Sequence, residues 1–165
     1  MNLEARKPGS KLGNTELTDR IIAAAIRVHR ELGPGFLEIM YEEALAIELA
    51  AAGITFERQK LLPISYREHL IGEHRLDLVV ERQVILELKA ISALEDVHFA
   101  IVRSYLKAAN LNDALSLNFA STRLTVKRVG REYHPKFESE EVNFQPPGFL
   151  VSWFPGFQIS LCLTN

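Results

Sequence analysis

The chain has 165 residues, 47% of them hydrophobic and 24% charged, with a formal net charge of −2. That length suits one domain with a sizeable core and some extra chain at its ends, in an ordinary globular composition. The charge balance excludes a globally basic nucleic-acid binder, so any such contact needs a local cationic patch. The single cysteine, Cys162, excludes an internal disulfide and a multi-cysteine zinc site, which suits a reducing cytoplasm. No apolar run approaches the roughly 20 residues of a membrane span, and the first ten residues lack the apolar segment of a secretory signal.

Residues 1–14 are polar, carry Pro8, Gly9 and Gly13, and read as a loose arm. A helix is predicted from Thr18 as N-cap, with Ile21, Ile22, Ala25, Ile26, Val28, His29 and Leu32 on its apolar stripe. His29 on that stripe reads as a hydrogen-bonded histidine at the edge of the core. Gly33-Pro34-Gly35 ends the helix. A second helix is predicted over 37–52, where Leu37, Tyr41, Leu45 and Leu49 share one face. Glu38 falls in its first turn, where a carboxylate complements the helix dipole.

Strands follow. Residues 59–66 form the first, with Pro63 marking an edge or a strand end, and 67–72 the turn after it. Residues 74–89 read as two strands joined by a tight turn, from the alternation on either side of Arg82. A third helix is predicted over about 94–110, with Leu94, Val97, Ile101, Tyr105 and Leu106 toward the sheet. Strands over 114–119 and 124–129 complete the order. A strand, a crossover helix and a further strand predict a parallel pair. The fold class is therefore α+β: a mixed central sheet flanked by helices, carried by residues 15–130. Residues 131–165 form a Pro- and aromatic-rich extension, expected to pack on the body or on a second copy of the chain.

The hairpin holds the chemistry. With Arg82 at the turn centre, Val79 faces Ile85, Asp77 faces Glu87 and Arg75 faces Lys89. Like charges placed opposite each other destabilise a sheet by roughly 0.2–1 kcal/mol. A divalent cation between Asp77 and Glu87 turns that repulsion into binding, since Mg²⁺ is commonly held by one or two carboxylates and its remaining waters. Lys89 and Arg75 then become candidate phosphate contacts. The alternative is a solvated hairpin face in which Asp77 pairs diagonally with Lys89.

Further strings add a resemblance. Gly35-Phe36-Leu37-Glu38-Ile39-Met40-Tyr41 matches a GxxExxY motif, and Asp77 with Glu87-Leu88-Lys89 matches an Asp…Glu-x-Lys signature. Together, in this order, they resemble the GxxExxY family, a branch of the PD-(D/E)xK nuclease superfamily. The likeness runs from about Thr18 to Val129 and includes His29, His98, Tyr105-Leu106 and Asn118-Phe119. It implies a restriction-endonuclease-like αβββαβ core and a Mg²⁺- or Mn²⁺-dependent nuclease that cleaves DNA or RNA with an activated water. Asp77 and Glu87 would be the metal ligands, Lys89 the catalytic lysine, and Glu38 a further acidic residue reaching the same site. Ile101 stands where the family usually has a glutamine, and Ala114 where it usually has a glycine. Isoleucine cannot hydrogen-bond substrate or water. That departure leaves a second reading: a nuclease-fold protein that binds nucleic acid or protein without cleaving.

Overall fold

The structure, a computed structural model, describes residues 15–132. The expectations for residues 1–14, and for all but the first two positions of 131–165, fall outside the described residues. The elements are α1 (Thr15–Leu32), α2 (Glu38–Ala51), β1 (Phe56–Tyr66), β2 (His69–Val80), β3 (Val84–Lys89), α3 (Asp96–Ala109), β4 (Asp113–Asn118) and β5 (Thr125–Gly130). The strands form one sheet in the order β1-β2-β3-β4-β5. Only β3 and β4 are parallel, joined through α3; the other neighbours are antiparallel. This is the mixed, helix-flanked α+β sheet expected from the sequence. Among the described residues no helix is long and apolar enough to cross a membrane.

Each face of the sheet has its own core. Leu78, Val80, Leu86, Leu88, Leu115 and Leu117 pack on one side against Ile21, Ala25 and Val28 of α1 and Tyr41, Leu45 and Leu49 of α2. On the other side Val79, Ile85, Ala114 and Val129 pack against Val102 and Leu106 of α3. The alternation along β3 and β4 sorts these two sets, as a two-residue period requires.

The turn from α1 to α2 is tied by one side chain. Gly33 takes φ +68, which glycine adopts without steric cost, and its N–H bonds the His29 carbonyl at 2.9 Å. The buried Tyr41 hydroxyl donates to the Gly33 carbonyl at 2.7 Å and accepts from the Phe36 N–H at 3.2 Å. Its ring stacks on Phe119 from the end of β4, with centroids 4.4 Å apart.

Several details differ from expectation. α1 starts at Thr15, so Thr18 is inside the helix, where its hydroxyl donates to the Thr15 carbonyl and accepts from Arg128. The His29 ring is buried against Phe119, yet neither ring nitrogen has a hydrogen-bond partner among the described residues. The β1–β2 ladder runs on to Tyr66–His69, so the turn is only Arg67 and Glu68, at φ +46 and +67. Left-handed turns are signalled in sequence by Gly, Asn or Asp; Arg-Glu gives no such signal, and Gly72 placed the turn too late. In α3 the buried stripe is Val102 and Leu106, flanked by Phe99, Tyr105 and Ala109. Val97 and Ile101 stay 56% and 40% exposed, so the apolar face is rotated from the one expected.

Tyr41→Phe keeps the stack and removes the hydroxyl. It is expected to cost about 1–2 kcal/mol in urea unfolding, because the Gly33 carbonyl and the Phe36 N–H lose their shared partner. An unchanged midpoint would show that this junction does not depend on the hydroxyl.

Candidate active site

β3 is bonded to β4 along its whole length, from Val84–Asp113 to Lys89–Asn118. Its ladder with β2 is short: Val80–Val84, Val79–Ile85 and Leu78–Leu86. The register is the one expected from a turn centred on Arg82. Glu81 and Arg82 take φ +50 and +57, and the Glu81 carboxylate anchors the turn by accepting the Thr55 N–H at 2.8 Å. Beyond Leu78 the strands part. Asp77 is the first β2 residue past the ladder, and its Oδ2 accepts the Leu88 N–H at 2.8 Å. A side chain thus satisfies a backbone donor that β2 no longer reaches.

Ile85 points to the α3 side, so Glu87 and Lys89, two and four residues on, share that side. Glu87 is 6% exposed. Its Oε1 accepts from Lys89 Nζ at 2.6 Å, while Oε2 is buried with no hydrogen-bond partner among the described residues. Lys89 therefore pairs with Glu87, and the diagonal bond from Lys89 to Asp77 is not formed. Glu38 arrives from the first turn of α2, its Oε1 accepting the Ala90 N–H at 3.0 Å, one residue past Lys89. Asp77, Glu87, Lys89 and Glu38 are thus gathered at the end of β3. Arg75 is not brought to Lys89: it faces Leu61 of β1, well beyond the end of the β2–β3 ladder.

The electrostatics show Asp77 short of positive charge. Burial, and next the charge of Glu87, push the Asp77 carboxyl up to about 7 from its usual 3.8, against the Leu88 N–H and Lys89, which pull it down. Burial alone would lower the Lys89 ammonium, but its hydrogen bond to Glu87 and the charges of Glu87, Glu38 and Asp77 outweigh that and raise it. One lysine serves three carboxylates.

Two neighbours escaped sequence reasoning as site residues. Tyr105, counted only as a core-facing residue, is half-buried within reach of the cluster: burial and then Glu87 raise its phenol. Its ring meets His74 edge-on at 4.7 Å. Ser116 lies beside Glu87 in the β3–β4 register, fully buried, its Oγ without a partner among the described residues. The available signal was a serine set between two leucines, Leu115 and Leu117. His98 is tied up locally, its Nδ1 accepting the Glu95 N–H at 2.8 Å.

A divalent ion fits the donor set on two grounds. Burial and the neighbouring Glu87 charge act on the Asp77 carboxyl, a strain that a cation relieves, and Glu87 presents a buried oxygen with no hydrogen-bond partner among the described residues. Among the described residues no group of three or more His, Cys, Asp or Glu side chains is placed to hold a metal, so the pair would bind through few protein ligands.

The layout, with a mixed sheet, a short-paired central hairpin and acidic residues and a lysine where its strands part, is that of a restriction-endonuclease-like core. The chain belongs to the PD-(D/E)XK nuclease superfamily, whose family model matches residues 15–129. A search of curated proteins found no match. Among solved structures, the one titled "Crystal structure of SSO0001" is similar at 13% identity and a TM-score of 0.42, over 80% of this chain and 72% of that one.

A folded pKa above the unfolded value makes Asp77 a source of instability at high pH. Between about pH 4 and pH 7 the folded state holds a proton that the unfolded chain has released, so stability falls as pH rises across that window and stays lower above it. Asp77→Asn in chelator-treated protein is therefore expected to be more stable than wild type near pH 8, by on the order of 2 kcal/mol, with the gap closing toward pH 4. A variant less stable than wild type near pH 8 in urea unfolding would mean that Asp77 is an ordinary paired carboxylate.

Proposed function

We propose that the protein is a phosphodiesterase that cleaves nucleic acid with the help of Mg²⁺ or Mn²⁺. One observation carries this reading: Asp77 and Glu87 lie together, largely out of water, with a single lysine between three acidic groups. A pair of that kind destabilises the protein unless it has a use for a cation. Superfamily membership supports a nuclease-like role, and the Gly35…Glu38…Tyr41 string supports the GxxExxY branch of it.

The roles follow from position. Asp77 and Glu87 would hold the ion. When bound there, a divalent ion supplies Lewis-acid chemistry: it polarises a phosphate oxygen and makes water a better nucleophile at neutral pH. Lys89, tethered to Glu87, holds its ammonium beside the same point, where it would oppose negative charge developing on phosphorus oxygens. Glu38, pinned to the Ala90 N–H, would orient water or complete the ion's outer shell. Arg75 is exposed and would contact a phosphate away from the scissile one.

The second reading, a nucleic-acid- or protein-binding module without cleavage, is favoured by one feature. Ile101 exposes an apolar side chain one helical turn before Tyr105, where the resemblance expects a glutamine's hydrogen bonds.

The two are separated by incubating labelled single- and double-stranded DNA and RNA with Mn²⁺. The phosphodiesterase reading expects cleavage of at least one of them, and a loss of about 100-fold or more in Glu87→Gln and in Lys89→Ala at unchanged circular dichroism. Binding without cleavage, or cleavage that both variants retain, would favour the module.

A further inference from the structure

We propose that Glu42, Gln59 and Arg58 form a lock that sets the position of Asp77, so that metal affinity depends on a residue of α2 that is not itself a ligand. This inference rests on the reading of Asp77 and Glu87 as the metal pair.

The argument begins in β1. Gln59 is at φ +48 in the middle of a strand, a left-handed conformation that a non-glycine residue rarely adopts without something holding it there. Arg58 pairs with Leu78 and Lys60 pairs with Leu76, while the positions between them, Gln59 and Asp77, make no ladder pair. The irregularity in β1 therefore lies directly across from Asp77.

The partner strand turns over at the same point. In a regular strand residues two apart share a face. Leu78 packs with α1 and α2, whereas Leu76 packs with α3 on the other side of the sheet. β2 rotates between them, about Asp77. The rotation takes β2 out of the β3 ladder and turns the Asp77 carboxylate to the Leu88 N–H at the mouth of the site.

Glu42 holds the irregularity. It is 3% exposed, on the buried side of α2 one turn after Glu38. Its Oε2 accepts from Gln59 Nε2 at 2.6 Å and its Oε1 from Arg58 Nε at 2.9 Å. A buried carboxylate bridging two consecutive strand side chains grips the backbone on either side of the left-handed residue. Arg58 is held from outside as well, by Glu43 at 2.7 Å. α2 thus approaches the site through two carboxylates: Glu38 reaches the end of β3, and Glu42 fixes the bend opposite Asp77. Without the lock Gln59 is free to relax toward an extended φ, β2 to straighten, and Asp77 to leave the position facing Glu87.

The test measures Mn²⁺ binding by electron paramagnetic resonance of the free ion, at a temperature where every protein used is fully folded. Glu42→Gln removes the carboxylate shared by Gln59 and Arg58 together with a charge that acts on Asp77, and Gln59→Ala breaks the same bond while leaving that charge in place. The double exchange Glu42→Gln with Gln59→Glu restores the bond with donor and acceptor reversed and keeps the total charge. Glu48→Gln removes a charge of the same helix that bonds Arg27 and no member of the lock. The expected result is binding weaker by about tenfold or more in Glu42→Gln and in Gln59→Ala, recovered to within about threefold in the double variant, and unchanged in Glu48→Gln. A purely structural role would lower the melting temperature and leave the affinity of the folded protein alone. Wild-type affinity in Glu42→Gln, or no recovery in the double exchange, would overturn the lock. Wild type that binds no Mn²⁺ would instead remove the metal reading, and the lock with it. Wild-type affinity in Gln59→Ala likewise overturns the proposal, and that variant stands alone if Glu42→Gln does not fold.

Discussion

Everything at this site depends on the repulsion between two carboxylates held close to each other and away from water. At an effective dielectric of about 20, two like charges about 4 Å apart repel by about 4 kcal/mol. Lys89 offsets that repulsion on the Glu87 side, where it is hydrogen-bonded, and does less for Asp77, whose carboxyl is driven up to about 7. The fold keeps the pair together by force of backbone. β3 is locked along its length to β4, Asp77 is tied to the Leu88 N–H, and α2 is fastened to the end of β3 through Glu38.

The geometry that creates this tension is the early parting of β2 from β3. A hairpin paired to its end would spend the Leu88 N–H on a backbone carbonyl and leave Asp77 as a side chain on one face. Ending the ladder at Leu78–Leu86 frees that N–H for the Asp77 carboxylate and opens the space between the strands. The two faces of the sheet meet there: α2 reaches the end of β3 from one side, and Tyr105 of α3 approaches from the other. The site is the place where the two cores come into contact with the same strand end.

Much of this was legible in the sequence, and the gaps have physical causes. Counting outward from Arg82 matched the three ladder pairs from Val80–Val84 to Leu78–Leu86, because a tight turn fixes the register near it, and Asp77 lies one residue past them. The same count failed for Arg75, because β2 changes partners: it pairs with β1 throughout and with β3 only near the turn, and alternation does not reveal which neighbour a strand has. The stripe on α3 was read from Leu94, which precedes the helix, and this rotated the predicted face onto the exposed Val97 and Ile101. Asn110 and the left-handed glycines carry the usual signal, but Gln59, Arg67, Glu68, Glu81 and Arg82 are left-handed too and nothing in their identity announced them. Glu38 reads in sequence as a first-turn carboxylate suited to the helix dipole. Its bond to the Ala90 N–H spans 52 residues of chain, which no local pattern encodes.

The most direct test of the central claim, that the Asp77–Glu87 pair exists to hold a divalent ion, is anomalous diffraction from crystals of the protein grown with Mn²⁺. The account predicts an anomalous peak between the Asp77 and Glu87 carboxylates, within coordination distance of both, with Lys89 at its edge. A manganese peak elsewhere with this pair vacant, or no peak at millimolar Mn²⁺ while Lys89 still holds Glu87, would contradict it.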